Sequence, residues 1–319
     1  MYDDTLAFAF LGTEVYAYGL MLMAGCWAGL AVLYTLASKH PGLKAPAAIT
    51  GLLALPLGLI LARLLYCFGD QAFHPLLNLQ NVLDLRTGGF AMYGALTGAA
   101  LSALVAARLT KTPAAPLLDR LAPALAAFLA LARLGEGFTM LGLSRPLTIQ
   151  ALADSFLARQ ESYGSFLRTY LIEAVVALAL LGILLRSLKK RHRAGHVFML
   201  GCLLYGVTQT LMESLRFDGH LRFSFVGLQQ VLSAVLFGLT LIVLAVRALR
   251  RRGKKPLPIL TLALLPLIVG GAIAVEFMID RSEAGKLAAY GLYILLLAIP
   301  VGLGILLLRQ EDAHDQGTD

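Results

Sequence analysis

Charged residues are scarce in this sequence. They make up 14% of its 319 positions, whereas 58% are hydrophobic. Ordinary soluble domains have an apolar share of about one half, so this composition excludes an ordinary soluble domain. A soluble helical bundle is the remaining water-soluble alternative. Against it, residues 257–277 and 287–308 are apolar on every face, which a water-facing helix is not.

Cysteine is also scarce. Cys26, Cys67 and Cys202 all fall within apolar runs, and they show neither metal-ligand spacing nor an even-numbered disulfide framework. Residues 22–26 superficially resemble a lipoprotein cleavage box, but no basic segment precedes them. We therefore predict no metal site, no cofactor and no lipidation at Cys26. An internal repeat is lacking too, so the inverted symmetry of many transporters is not supported.

The apolar residues form long runs, several of them close to the roughly 20 residues that a helix needs to cross about 30 Å of hydrocarbon. They predict an all-α, polytopic transmembrane helical bundle with about nine spans. The predicted spans are 14–37, 46–69, 88–107, 117–135, 167–186, 197–215, 226–247, 257–278 and 287–308.

Basic residues are in excess, with a formal net charge of +8, but they sort by side of the membrane and do not indicate a nucleic-acid partner. Alternate loops are rich in Lys and Arg, above all residues 186–193 and 247–255. Because Lys and Arg resist translocation, these loops are predicted to be cytoplasmic. The N-terminus is then outside and the C-terminus inside, as an odd number of spans requires. We expect a multi-pass protein of the bacterial cytoplasmic membrane.

Ionisable side chains within or beside the apolar runs cost about 2.5–3.5 kcal/mol each on insertion scales, which makes them functional candidates. Arg133 with Glu136, and Glu213 with Arg216, are spaced three residues apart, so each pair can share one helix face if the helix continues. Two interpretations stay open. The pairs either neutralise themselves at the membrane edge, or they form a cationic site for a lipid phosphate. The candidates are Arg63, Arg133, Glu136, Glu173, Glu213 and Arg216.

Glycines recur from Gly88 to Gly98 at the start of the third span. They permit tight turning and close helix approach, and helix packing alone would account for them. Tyr18, near the start of the first span, is typical of an aromatic anchor at the membrane interface.

Taken in order, the segments resemble the prolipoprotein diacylglyceryl transferase family. Tyr18 to Met21 looks like the family's Tyr-Gly-Leu-Met, and Ala62 to Tyr66 is similar to its Gly-Arg-x-Gly-Tyr. Gly88 to Ala95 looks like its Gly-Gly-x-x-x-His-Gly-Gly. Further matches are Ala132 to Gly137 with Gly-Arg-x-Gly-Asn-Phe, Ser144 to Pro146 with Gly-Arg-Pro, and Tyr205 to Arg216 with Tyr-Gly-x-x-Arg-x-x-x-Glu-x-x-Arg.

The resemblance implies transfer of a diacylglyceryl group from phosphatidylglycerol to the cysteine thiol of a lipoprotein precursor, with release of glycerol phosphate. The implied partners are phosphatidylglycerol, the precursor's signal peptide and cysteine, and membrane lipids. Residues 1–250 would form a seven-helix transferase-like domain with an external cap at 136–166. Residues 251–319 would form a two-helix appendix with an acidic tail.

Four positions depart from the family pattern: its His is Tyr93, its Asn is Glu136, its Gly before Arg-Pro is Ser144 and its late Arg is Gln209. Arg133 is expected to stabilise phosphate charge, and Glu136 or Glu213 to act as base if burial raises its pKa. The resemblance thus implies catalytic candidates Arg133, Glu136, Tyr93 and Glu213, and substrate-binding candidates Tyr18, Arg63, Gln209, Arg216 and Arg145.

Three alternatives stay open at this point. The first is a divergent enzyme with another acceptor or headgroup chemistry, since the phosphate-facing Arg is kept while other site positions changed. The second is a non-catalytic paralogue that binds lipid or a partner protein. The third is a transporter, for which polar groups within the spans, mainly Arg63 and Glu173, give thin support.

Overall fold

The computed structural model of the chain describes residues 5–10, 13–69, 77–84, 88–218, 222–223, 225–252, 256–281 and 285–315. These residues are mostly helical, in agreement with the predicted polytopic helical bundle. Parts of two predicted features, the basic run 247–255 and the acidic tail, lie outside the described residues at 253–255 and 316–319.

The chain forms two compact units. The first comprises Met1–Arg186 and Arg216–Leu221, and the second comprises Ser187–Leu215 and Arg222–Asp319. The elements up to the end of α7 are β1 (Leu6–Phe10), β2 (Thr13–Tyr16), α1 (Ala17–Ser38), α2 (Lys44–Gly69), α3 (Leu79–Leu83), α4 (Met92–Leu109), α5 (Ala114–Gly135), β3 (Leu143–Pro146), α6 (Gln150–Ala153), β4 (Ala158–Glu161), β5 (Gly164–Arg168) and α7 (Thr169–Leu188). The later elements are α8 (His196–Leu215), β6 (Arg222–Phe223), β7 (Val226–Gly227), α9 (Leu228–Arg252), α10 (Pro256–Arg281) and α11 (Lys286–Asp315).

Each predicted span overlaps a long helix. Among the described residues, eight helices are long and apolar enough to cross a membrane. The predicted span 197–215 coincides with α8, which is not one of those eight. A polytopic helical protein is therefore supported, whereas the number nine and the orientation of the termini stay predictions.

The first predicted span, 14–37, begins a few residues before helix α1. Residues 13–16 form β2, which pairs antiparallel with β1 through partners such as Ala9 and Glu14, and helix α1 begins only at Ala17. Short apolar runs suit a strand as well as a helix, so periodicity alone did not separate the two.

The first unit is built on two close helix pairs, α2 with α4 and α1 with α5. Small residues allow the first approach: a Cβ added to Gly98 of α4 would lie 2.5 Å from the Cα of Gly58 in α2. In lipid, the hydrophobic effect does not drive helices together. Close backbone approach instead stabilises the helix pair through van der Waals contacts. The predicted role in close helix approach is confirmed for Gly98.

Large apolar side chains cover the outside of the helices. Leu52 of α2 is 77% exposed and Leu267 of α10 is 69% exposed. Apolar side chains in such positions are suited to lipid and unsuited to water.

The only sizeable sheet among the described residues has the antiparallel order β3-β5-β4 and follows the end of α5.

The second unit packs α10 and α11 against α8 and α9 around an apolar core that includes Phe237 and Tyr293. One polar group in this core comes from α10: Glu276 is 5% exposed and accepts a hydrogen bond from Nε2 of Gln230 at 2.8 Å. Helix α11 continues past the predicted span to Asp315, so the first residues of the acidic tail are helical.

We expect Gly98→Ala to lower the stability of the protein, because its methyl group would displace α2 from α4. Overpacking of this kind costs about 1–3 kcal/mol. Gly182→Ala is the matched control, since Gly182 of α7 has no atom within 4 Å of the added Cβ. Thermal unfolding in detergent compares the two variants. Equal transition temperatures would contradict the close α2–α4 contact.

Candidate active site

Buried charges collect where α5 ends. Arg133 lies in the last turn of α5, and Glu136 begins a single 3-10 turn, Glu136–Phe138. Glu173 projects from α7, and Arg216 follows the end of α8. These four residues are each at most 3% exposed. Together with Asp218 they form what we call the ionic cluster.

The ionic cluster is joined by short ion pairs. Arg133 reaches Glu136 with Nη1 to Oε1 at 2.6 Å, and reaches Glu173 with Nε to Oε2 at 2.8 Å. Arg216 contacts Glu173 with Nη1 to Oε1 at 2.8 Å, and Glu136 with Nη2 to Oε2 at 3.0 Å. Nη2 of Arg216 also lies 2.8 Å from Oδ2 of Asp218. Each glutamate thus bridges both guanidinium groups.

Two guanidinium groups therefore face three carboxylates in the ionic cluster. Burying an isolated charge is expensive, so such groups persist only when they are paired and hydrogen-bonded. The predicted pair of Arg133 and Glu136 is confirmed. Both arginines are engaged by acids, as the first of the two open interpretations expects, so an anion that binds them here must replace a carboxylate.

The backbone around Arg216 is held by strand β3. Ser144 and Arg216 form an antiparallel bridge, and the amide of Phe217 donates to the carbonyl of Leu143 at 2.8 Å. The amide of Gly142 donates to Oδ2 of Asp218 at 2.5 Å. The polypeptide between α5 and α7 therefore positions both the side chain of Arg216 and its acidic partner.

Gly142 is required beside Glu136. Its φ is +68°, in the region that favours glycine. A Cβ added there would lie 2.7 Å from Oε2 of Glu136 and 2.7 Å from Cβ of Tyr170. Any larger residue would push against the carboxylate that bridges the two arginines.

Two predicted substrate-binding residues pack near the ionic cluster. Tyr18, in the first turn of α1, packs with Met21 against Gly135, the residue before Glu136. Arg145 of β3 places its guanidinium 4.6 Å from the ring centroid of Phe217, the residue after Arg216. Both side chains therefore border segments that carry cluster residues.

Arg63 has a different environment. It is 3% exposed, and its guanidinium donates to backbone carbonyls of Asn81 at 2.8 Å and of Asp84 at 3.0 Å. It also donates to Gly89 at 3.2 Å and to Gly88. These bonds tie α2 to the segment around α3 and to the turn before α4. The observed contacts give Arg63 a structural role, and its substrate-binding role stays a prediction.

Three further candidates occupy other elements. Tyr93 is buried in the first turn of α4. Gln209 and Glu213 belong to α8 in the second unit, where Nε2 of Gln209 donates to Oε1 of Glu213 at 2.9 Å. The predicted sharing of one helix face by Glu213 and Arg216 required α8 to continue, but α8 ends at Leu215. That condition is not met.

Two members of the ionic cluster had no role in the predicted transfer reaction. Glu173 was recognised as an ionisable residue in an apolar span, and that signal was sufficient to find it. Asp218 was not singled out, although its position two residues after Arg216 was a usable signal.

A known protein family matches the whole segment that carries the ionic cluster. The family model described as prolipoprotein diacylglyceryl transferase matches residues 5–246. The chain belongs to this family. Every residue of the ionic cluster lies within the matched segment, whereas α10 and α11 lie beyond it.

Curated relatives carry the name phosphatidylglycerol–prolipoprotein diacylglyceryl transferase. The Clostridium novyi protein is 26% identical over 250 residues, which cover 75% of this chain and 95% of the relative. The Trichormus variabilis protein is 29% identical over 255 residues, covering 76% and 87%. The protein of Bifidobacterium longum strain DJO10A is 28% identical over 224 residues, covering 64% and 71%.

We expect Arg216→Gln to destabilise the protein by about 3–5 kcal/mol, because three buried carboxylates would then face a single guanidinium group. Adding Glu173→Gln should recover part of this loss, so the double variant should be less destabilised than the sum of the single variants. Chemical unfolding in detergent measures the three free energies.

Glu161→Gln is the control for this cycle. Its ion pair with Arg159 leaves the two side chains 24% and 27% exposed, and a partly exposed pair contributes at most about 1 kcal/mol. Strict additivity of Arg216→Gln and Glu173→Gln would contradict the coupling between the two residues.

Proposed function

We propose that this chain transfers a diacylglyceryl group from phosphatidylglycerol to the cysteine thiol of lipoprotein precursors, and that the ionic cluster is its reaction centre. Family membership over residues 5–246 is the observation that carries the proposal. The names of the curated relatives support the same donor and acceptor. Another acceptor, a non-catalytic role and a transporter are not favoured by these relatives.

The reaction sets two physical requirements. The cysteine sulfur bonds to the glycerol carbon that carries the phosphate ester, the carbon–oxygen bond breaks, and glycerol phosphate leaves with the bonding electrons. The leaving phosphate needs a cation beside its developing charge. The thiol, with a reference pKa of about 8.5, needs a base to take its proton.

Arg133 and Arg216 are the proposed phosphate ligands. Guanidinium groups offer paired N–H donors that match phosphate oxygens. Both are held by Glu136, at 2.6 Å and 3.0 Å, so a phosphate can bind them fully only when this carboxylate loses its charge.

Glu136 is the proposed base. When it takes the thiol proton it becomes neutral, and its two ion pairs weaken as the phosphate gains charge. The arginines then exchange one anion for another: Glu136 loses one negative charge while the leaving phosphate gains one, so the ionic cluster and the phosphate together keep the same net charge. Glu173 keeps both arginines in place during this exchange, since each of its oxygens contacts one of them at 2.8 Å.

Other site residues have supporting roles in this proposal. Tyr18 and Arg145 border the cluster and are suited to contacting the donor lipid. Glu213, held by Gln209, is the second candidate for the base. Tyr93 is a poor base in its neutral form, because a phenol has a reference pKa of about 10. Arg63 assists by holding the turn before α4.

We propose nine spans in the bacterial cytoplasmic membrane, with the N-terminus outside and the C-terminus inside. Residues 1–250 carry the reaction and include an external cap at 136–166, where β3, β4 and β5 form a small sheet. Residues 251–319 are the appendix. The signal peptide and cysteine of the precursor reach the ionic cluster from the membrane, and membrane lipids surround the helices.

An odd number of spans places the two ends of the chain on opposite sides of the membrane. In a variant without its three native cysteines, Thr5→Cys should react with an impermeant thiol reagent on intact cells, and Ala313→Cys should react only after lysis. Both residues are exposed. Labelling of both positions on intact cells, or of neither, would show an even number of spans.

Complementation tests the activity. In a bacterial strain depleted of its own diacylglyceryl transferase, expression of this chain should restore lipoprotein modification, observed as a mobility shift of a model lipoprotein. Absence of modification despite normal membrane expression would contradict the proposed reaction while leaving the fold unaffected.

Matched variants in the same assay identify the base. We expect Glu136→Gln to lower the transfer rate by about 10²- to 10⁴-fold, the usual contribution of a general base. Glu161→Gln, in a partly exposed ion pair, should transfer at the unchanged rate. Selective loss in Glu213→Gln would move the base to that residue, and full activity of both glutamine variants would exclude both as bases.

A further inference from the structure

Two histidines and an aspartate of the second unit converge at the ends of two helices. His192 lies in the loop before α8, His196 is the first residue of α8, and Asp312 lies near the end of α11. Nδ1 of His192 is 2.7 Å from Oδ2 of Asp312, and Nδ1 of His196 is 3.1 Å from the same oxygen. One potential ligand atom from each residue lies within 4.8 Å of the others.

The arrangement is more specific than an ion pair at the end of a helix. The two imidazole rings are stacked, with centroids 3.8 Å apart and planes inclined by 13°, so one ring must rotate about its side-chain torsions for both nitrogens to bind one ion. Asp312 is oriented by the backbone, because its Oδ1 accepts a hydrogen bond from the amide of Arg193 at 3.1 Å. Its other oxygen is thereby directed at both rings.

His196 supplies an independent indication of a ligand. Its residue is 8% exposed, and its Nδ1 lies 3.1 Å from Oδ2 of Asp312 without the alignment of a full hydrogen bond. A buried polar atom that is left unsatisfied is costly and calls for an explanation. A cation bound to this nitrogen and to Oδ2 of Asp312 would supply the well-aligned partner that the nitrogen lacks.

We propose that His192, His196 and Asp312 bind a divalent transition-metal ion of the Zn²⁺ class. Two imidazole nitrogens and one carboxylate oxygen, with water in the fourth position, are a common tetrahedral donor set for Zn²⁺. Mg²⁺ and Ca²⁺ prefer oxygen ligands, so they should bind weakly. The side chains of His192 and Asp312 are 19% and 13% exposed, which leaves a route from solvent.

The bound ion would join a segment inside the region that matches the family model to a segment outside it. The two histidines lie within the matched residues 5–246, whereas Asp312 lies beyond them on α11. Metal binding would therefore fasten the end of the C-terminal helix to the loop before α8. The alternative is that Asp312 only offsets the basic run 186–193, in which case no metal binds.

Metal binding can be measured on the full-length protein, purified in detergent with a tag that contains no histidine. After chelation and dialysis, we expect one Zn²⁺ per chain by elemental analysis, a higher unfolding temperature with Zn²⁺ than with Mg²⁺, and visible absorption typical of tetrahedral coordination when Co²⁺ is added. Stoichiometry well below one, with no Co²⁺ absorption, would overturn the proposal without recourse to any variant.

Variants assign the ligands. Removing even an outer partner of a metal ligand costs about 10- to 100-fold in affinity, so His196→Ala and Asp312→Asn should each lower Zn²⁺ affinity by at least about 100-fold. His192→Ala changes the most exposed ligand and should do the same in a protein that still folds. His40→Ala, in the loop between α1 and α2, is the control. Equal Zn²⁺ affinity in His192→Ala and His40→Ala would reject the assignment.

Discussion

Charge compensation at a buried site is the constraint on which this structure depends. Arg133 and Arg216 are each 2% exposed, and neither is sustainable there without an acid. Glu173 meets this need for both arginines, with one oxygen for each. The end of α5, the start of α7 and the residues after α8 are thereby joined by side chains whose separation would leave buried charge uncompensated.

The helices were predictable because their cause is local. About 20 consecutive apolar residues indicate a membrane-spanning helix, and the long helices all overlap predicted spans. The hairpin of β1 and β2 was not predicted, because pairing between Ala9 and Glu14 depends on two short segments meeting and leaves no helical or strand period in either.

The ionic cluster was predictable in its members more than in its connections. Arg133, Glu136, Glu173 and Arg216 stand out as ionisable groups in or beside apolar runs. The partner of Arg216 did not follow from spacing, since Glu173 lies 43 positions earlier in the chain. Asp218 looked like an ordinary loop residue, and only the fold brings it to a guanidinium group and to the amide of Gly142.

Departures from the family pattern also gain a physical explanation from their surroundings. Ser144 stands where the family has glycine, and its hydroxyl accepts from the amide of Leu167 at 2.8 Å, which links β3 to β5. Gln209 stands where the family has arginine, and its amide supplies a neutral donor to Glu213. Nothing in the structure explains why tyrosine replaces histidine at position 93.

The position of Arg216 in the chain has a consequence for biosynthesis. Its side chain completes a cluster whose members Arg133, Glu136 and Glu173 all precede it in the chain and are therefore synthesised before it. Until Arg216 arrives, two glutamates share one arginine, and the surplus negative charge must stay hydrated or protonated. The first unit can therefore complete its ionic cluster only after the ribosome has passed residue 216. Arrival of Arg216, which offsets the surplus negative charge of the two glutamates, is thus a late step in folding of the chain.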